Sequence, residues 1–478
     1  MKTTHSVSMR SLLACALILL STLGTGAQSK RQRVVPLVIR NVTLIDMRGA
    51  TDGAASQAGM TVVVRGERIA EIGRASSVRV PDGAQVLDGA GKFLLPGLWD
   101  MHVHMASLPP FERNEKIFLP LFVANGVTGV RDMGGDLDVL LKWRAKIASG
   151  ELAGPRIVAV AGPMLDGYIW PASQSVTNEA EGREAVAGLK RRGADFVKVQ
   201  SLLARDVYFA IAAEARKQGM TFAGHVPETV SAREASDAGQ KSIEHLTGVL
   251  QASSSMEDAL PKGLKATAQL LETYDAARAA ALFASFRRNA TWQCPTLVWE
   301  RGYFTLDADA LADESLLRFI PRDWEEKIWK DFKRDALRQR TPEDRENLKR
   351  RLRKELEVVG AMHRAGVGLL AGTDTPAPYI FPGSSLHDEL ALLVEAGLTP
   401  FEALQTATRN PARFTGKLDT HGTIERRKMA DLLLLDADPL ADIKHTRRID
   451  AVIIGGKLYT KPMLRRMLTG VAEAAGRN

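Results

Sequence analysis

The sequence predicts an α/β fold: a (β/α)8 TIM-type barrel with a small β-sandwich domain built from both chain ends. Three observations carry this expectation. Between about Phe93 and Lys417, eight short apolar segments alternate with helical patterns. Both ends of the chain are instead rich in short β segments. Ligand-type side chains also recur where the central segments end. The expected division is a signal peptide over 1–27, the small β domain over 28–92 and 418–478, and the barrel over 93–417.

The first 27 residues read as an export signal. Lys2 and Arg10 form a basic start, Leu12 to Leu23 an apolar run, and Thr25-Gly26-Ala27 a small-residue cleavage site before Gln28. The apolar run is shorter than the roughly 20 residues that span a bilayer. Leu12-Leu13-Ala14-Cys15 resembles a lipidation site, but most of the apolar run follows the cysteine instead of preceding it. The expected location is therefore exported, periplasmic or secreted, with no membrane attachment after cleavage.

Val35–Ile45, Thr61–Val64 and Glu67–Ile72 then read as strands, the last two joined by a turn at Arg65-Gly66. Near the other end, Asp431–Leu435, Ala451–Ile454 and Lys457–Tyr459 read the same way. The candidate barrel strands are Leu95–His102, Val127–Met133, Arg156–Ala161, Phe196–Val199, Thr221–Val226, Ser242–Leu246, Thr291–Leu297 and Val367–Asp374. Helical stretches at Glu181–Arg192, Asp206–Gln218 and Arg233–Ala238 each stop at a glycine, the usual terminator. A further charged helix starts at Thr341-Pro342, with Leu348, Leu352, Leu356 and Val359 in helical period. Its mixed charges read as a solvated face.

Composition excludes other classes. Of 478 residues, 45% are apolar and 25% charged, and 40 Gly with 21 Pro show no triplet period, so disorder and collagen are out. The net charge of +8 falls to about +6 without Lys2 and Arg10, which is mild for this length and indicates no nucleic-acid partner. Loss of the signal leaves Cys294 alone, so no intrachain disulfide forms, and its apolar surroundings make it a buried spectator.

The chemistry begins in Asp100-Met101-His102-Val103-His104. Two histidines at i and i+2 of a strand share a side. Lys198 interrupts the apolar run Phe196–Val199; His225, His245 and Asp374 close later strands. Imidazole and carboxylate suit zinc and its neighbours. A buried lysine would repel a cation as an ammonium. Desolvation lowers its pKa, and the neutral amine can add CO2 to give a carbamate that bridges two ions. The expected arrangement is two divalent cations, zinc in this reading. One sits among His102, His104, Lys198 and Asp374, the other among Lys198, His225 and His245. The other histidines read as bystanders, with His387 at the surface or a helix start, and Glu244 should face the helices.

With these residues placed, the chain resembles the amidohydrolase superfamily, in its imidazolonepropionase-like and Xaa-Pro dipeptidase (prolidase)-like branch. The resemblance runs through Leu95–His104, Gly126–Asp132, Gly224-His225-Val226, Glu244-His245, Ala371–Asp374, Thr408–Ala412, Gly422-Thr423-Ile424 and Ala430-Asp431-Leu432. Arg427 departs from it, standing where a turn glycine is common. The resemblance implies hydrolysis of an amide or peptide bond, in a small dipeptide or N-acyl amino acid, by a metal-bridging hydroxide, with Asp374 as the proton carrier. Tyr168, Trp170, Arg301 and Tyr379 lie just beyond strand ends and are candidate substrate contacts. Two alternatives remain: a lactone, ester or cyclic-amide hydrolase with the same metals, and a non-catalytic exported binding protein. Homo-oligomerisation is left open.

Overall fold

A computed structural model describes residues 35–49, 56–169, 171–257, 266–305 and 314–476. The expected signal peptide and Trp170 lie outside the described residues. Among the described residues no helix is long and apolar enough to cross a membrane.

The chain forms a mixed α/β fold. One sheet of eight strands draws on both ends of the chain. Its path runs Lys457–Thr460, Ile449–Ile454, Leu432–Leu435, Phe93–Pro96, Leu37–Leu44, Gln57–Arg65 and Arg68–Arg74, with Gln85–Asp88 also pairing with Leu37–Leu44. The Leu432–Leu435 strand explains its own composition. Successive side chains point to opposite faces, and both faces are buried. Leu432 and Leu434 join the core of the small sheet. Leu433 and Leu435 pack into the main core under the helices. Each such leucine contributes roughly 1.5–3 kcal/mol by burial.

The central strands are parallel. Leu98–Val103, Val127–Asp132 and Arg156–Val160 form one sheet. Ser173–Ser175, Met164–Asp166, Phe196–Val199, Thr221–Gly224, Ser242–Glu244 and Trp292–Cys294 form another. Backbone hydrogen bonds bridge the two on both sides. Asp195 N donates to Val160 O at 2.9 Å. On the other side the segment from Gly368 to Thr375 lies between Trp292–Cys294 and Leu98–Val103. Leu370 N donates to Gln293 O, Met101 N to Ala371 O and Asp374 N to His102 O, at 2.8–3.0 Å. This eighth expected strand pairs only through isolated bridges.

Most expected strands are shorter than the apolar runs suggest, two of them for a specific physical reason. Leu95–His102 divides at Gly97: Phe93–Pro96 pairs in the small sheet and Leu98–Val103 in the central one. A Cβ at Gly97 would meet Thr128 at 2.2 Å, so only glycine lets the chain cross there. Thr291–Leu297 stops at Cys294, because Pro295 lacks a donor and Thr296 turns left-handed (φ 48°) into the Leu297–Phe304 helix. The expected charged helix is present as Pro342–Arg364. Thr341 and Asp344 cap each other reciprocally at its start. Arg427 takes up the left-handed turn conformation without being glycine (φ 72°). Its backbone is pinned to the second strand of the hairpin, Arg427 N donating to Ile69 O and Arg68 Nη1 to Arg427 O.

Candidate active site

Asp100, His102 and His104 share one face at the end of the Leu98–Val103 strand. The buried Asp100 fixes that end. Its Oδ1 accepts from the backbone of His102 and Thr373, and its Oδ2 from the Thr373 hydroxyl at 2.7 Å. That ties the His102 strand to the turn carrying Asp374, itself left-handed (φ 61°). Non-glycine residues in this conformation store strain and concentrate at functional sites.

The side chains named from the sequence converge. His102 Nε2 and His104 Nε2 are 3.3 Å apart, and Asp374 Oδ1 lies 3.3 Å from the first and 3.2 Å from the second. His245 Nε2 is 3.8 Å from Asp374 Oδ2. The His245 ring centroid is 4.7 Å from that of His102 and 4.9 Å from that of His225. His102, His245 and Asp374 can all offer a donor atom to one ion. Lys198 is fully buried in the same place, and its Nζ has no hydrogen-bond partner.

Each histidine is held by its other nitrogen. Nδ1 of His102 meets Glu244 at 2.9 Å, that of His104 the carbonyl of Gly134 at 2.8 Å, that of His225 Ser201 Oγ at 2.7 Å, and that of His245 Thr296 Oγ1 at 2.6 Å. A carbonyl or carboxylate can only accept, so His102 and His104 carry their proton on Nδ1. Their Nε2 lone pairs then face each other and a carboxylate. Such an electron-rich centre calls for positive charge, and the residues fit divalent cations.

The electrostatics set His104 apart from the other three histidines. Burial pushes the pKa values of His102 and His225 well below the ordinary histidine value and that of His245 down to about 4. Burial opposes ionisation of Asp374, yet His102, His245 and His104 hold it well below the usual carboxylate range. His104 alone is raised: burial works against its charge, but Asp374 outweighs it. Burial brings Lys198 down to about 8, against the pull of Glu244 and Asp374.

Above these groups opens a cavity of about 610 Å³ with His104, Lys198, His225, His245 and Asp374 at its base. Trp299, Glu300, Tyr303 and Arg351 form part of its wall. Two of the four expected substrate contacts lie elsewhere. Arg301 and Tyr379 line a separate cavity of about 340 Å³, because the Leu297–Phe304 helix turns Trp299 and Tyr303 to the histidines and Arg301 away. Tyr168 is 59% exposed just after the Met164–Asp166 strand.

Glu244 corrects a sequence expectation. It points inward, not towards the helices, and is fully buried against His102. Strand alternation does not continue through His245: the chain turns left-handed there (φ 57°), so neighbouring side chains both reach the interior. Arg131 clamps Glu244, its Nη2 3.0 Å from both carboxylate oxygens. A charged residue inside the apolar Val127–Asp132 strand was the available signal for it. Ser201 and Thr296 carried no signal in the sequence. His387 is likewise buried, within the Ser384–Glu395 helix, between Thr446 Oγ1 at 2.9 Å and the Asn125 carbonyl at 3.1 Å.

Residues 93–459 match the amidohydrolase family. Ochratoxinase from Aspergillus niger is 24% identical over 432 residues, covering 77% of this chain and 76% of its own. Among solved structures, a Xaa-Pro dipeptidase with bound methionine in its active site matches with TM-score 0.64 at 23% identity, covering 89% of this chain and 100% of that one. A bottromycin amidohydrolase matches with TM-score 0.68 at 23% identity, covering 94% and 92%. The fold, the converging histidines and the family match lead to one conclusion: the chain belongs to the amidohydrolase family and is a metal-dependent hydrolase of carbon–nitrogen bonds.

Proposed function

We propose that this protein hydrolyses the amide or peptide bond of a small substrate, a dipeptide or N-acyl amino acid, in the cavity above the four histidines. The observation that carries the reading is the ring of histidines tied at Nδ1, with Nε2 atoms and Asp374 converging beside the unpartnered Lys198 Nζ. His102, His104, Asp374 and a carbamate on Lys198 would hold one divalent cation, and the same carbamate with His225 and His245 a second, zinc in our reading. The carbamate forms when the neutral Lys198 amine adds to CO2 and gives up a proton. Bound there, the cations supply Lewis acidity towards a substrate carbonyl and make water a nucleophile near neutral pH. Asp374 takes the proton of the attacking water on its carboxylate and returns it to the leaving nitrogen.

Three further elements belong to this reading. The parallel strands form a closed eight-stranded barrel, supported by the bridging bonds at Val160 and at Gly368–Thr375. The sheet from both chain ends is a small β-sandwich domain of its own. The chain is exported, supported by the pattern of residues 1–27.

Metal-loaded enzyme is to be screened against dipeptides and N-acyl amino acids, each paired with the matching lactone or ester. Hydrolysis of amides well above their paired esters is the expected result. Activity confined to lactones or esters sinks the amide reading.

A further inference from the structure

The Leu297–Phe304 helix begins three residues after Cys294 and stands over the histidines. Trp299 and Tyr303, one turn apart, stack with centroids 5.2 Å apart and 11° between planes. The Trp299 ring is 5.5 Å from that of His245. Glu300, next to Trp299, lines the same cavity while only 4% exposed. Its carboxyl has no hydrogen bond or ion pair to any described residue.

Charge does not balance around it. Arg351 also reaches this cavity, but its Nε donates to Glu355 Oε1 at 2.8 Å. The other Glu355 oxygen is buried with no partner. Two carboxyl groups therefore share one guanidinium where water is scarce, which is costly unless positive charge arrives. Burial, and then Glu355, push the Glu300 carboxyl well above its ordinary range, against the pull of Arg351. A ligand ammonium would supply that positive charge.

We propose that Glu300 is the specificity-determining residue of the cavity, binding the free α-ammonium of an aminoacyl amide. Dipeptides and amino-acid amides with an unblocked amino terminus are then preferred over N-acyl amino acids. The inference rests on the amide-hydrolase reading and narrows it. In an aminoacyl amide the ammonium is only two bonds from the scissile carbonyl, so its receptor must border the metal ligands. Glu300 meets that condition, sharing the cavity with His245 and Asp374.

Binding and turnover test it separately. Calorimetry on the metal-loaded protein compares phenylalaninol, which has no amide to cleave, with 3-phenylpropan-1-ol, which lacks the amine. The amine should bind about tenfold tighter or more, the scale of one charge-assisted hydrogen bond. Glu300→Gln should abolish the difference, and Glu300→Asp should keep part of it. In turnover, Glu300→Gln should raise KM about tenfold for a dipeptide, with kcat nearly unchanged, and leave its N-acetyl derivative unaffected. Equal binding of the two alcohols by the unaltered protein overturns the proposal. So does a preference that survives Glu300→Gln, which would place the amine on the metal. If Glu300→Gln erases the preference yet no amide is cleaved, the ammonium site stands and the amide-hydrolase reading falls.

Discussion

His102 Nδ1 and the Glu244 carboxylate meet at 2.9 Å with both side chains wholly shut off from solvent. Arg131 completes the clamp from the neighbouring strand, donating through Nη2 to both oxygens of Glu244 and through Nε to Met101 O at 2.6 Å. Burial resists the Glu244 charge, but Arg131 and Lys198 hold it ionised, below its ordinary range. The result is one fixed tautomer of His102, with the Nε2 lone pair aimed at Asp374. Replacing such a partner typically costs 10–100-fold in metal affinity. Glu244→Gln should therefore weaken metal retention by about that factor, read by competition with a chelator on protein checked for folding. Unchanged retention would mean that packing alone orients His102.

Metal content is the second prediction. Purified protein never exposed to chelator should contain about two divalent ions per chain, and chelation should abolish turnover until metal is restored. One ion per chain at full activity would replace the binuclear arrangement with a mononuclear one.

Lys198 tests the bridge. Lys198→Ala should lose at least one metal, and acetate or propionate should restore part of the activity in a concentration-dependent way. Lys198→Arg should fail as well, because a guanidinium stays protonated and cannot take up CO2. Full activity in the alanine variant without added carboxylate would reduce Lys198 to a core residue.

For Asp374, an amide can at best ligate, whereas a carboxylate also carries the proton. Asp374→Asn should cut kcat by about 10² or more with metal still bound. A near-normal kcat would remove this residue from proton transfer.

His387 governs a pH effect on stability, away from the metal ligands. Burial, followed by the nearby Arg447, lowers its pKa from 6.5 to about 3. Between those values the unfolded chain binds the proton and the folded one does not, so stability rises with pH across that window. The contribution is complete above pH 6.5 and drains away as pH falls towards 3, on the order of a few kcal/mol. His387→Gln should flatten the acid limb of a denaturation series run from pH 7 to about 4. An acid limb as steep as that of the unaltered protein would assign the effect to other groups.

Much of this was legible in the sequence for definite reasons. A strand buried on both faces is an apolar run between breakers, so Phe196–Val199 reads correctly to the residue, with Lys198 conspicuous inside it. The spacing of His102 and His104 places both on one face because strand alternation is local. Where backbone leaves the regular regions, the reading fails. Left-handed His245 hid the inward turn of Glu244, and left-handed Thr296 set the rotation of the next helix. With that rotation unknown, Arg301 looked as well placed as Trp299. Ser201 and Thr296 meet their histidines across 24 and 51 residues of chain, and such contacts leave no local pattern.

The pairing of Phe93–Pro96 with Leu432–Leu435 has a consequence for the order of assembly. The earlier strand is made, and the central parallel strands that follow it can form, while its partner is still more than three hundred residues from synthesis. Until then Phe93–Pro96 presents an open edge, and Leu94 and Leu95 lack the leucines that cover them. A nascent chain halted before Leu432 would expose a ready template for pairing with other chains. Completion of the carboxyl end is thus the step that seals the fold, and stalled or truncated chains should be the aggregation-prone species.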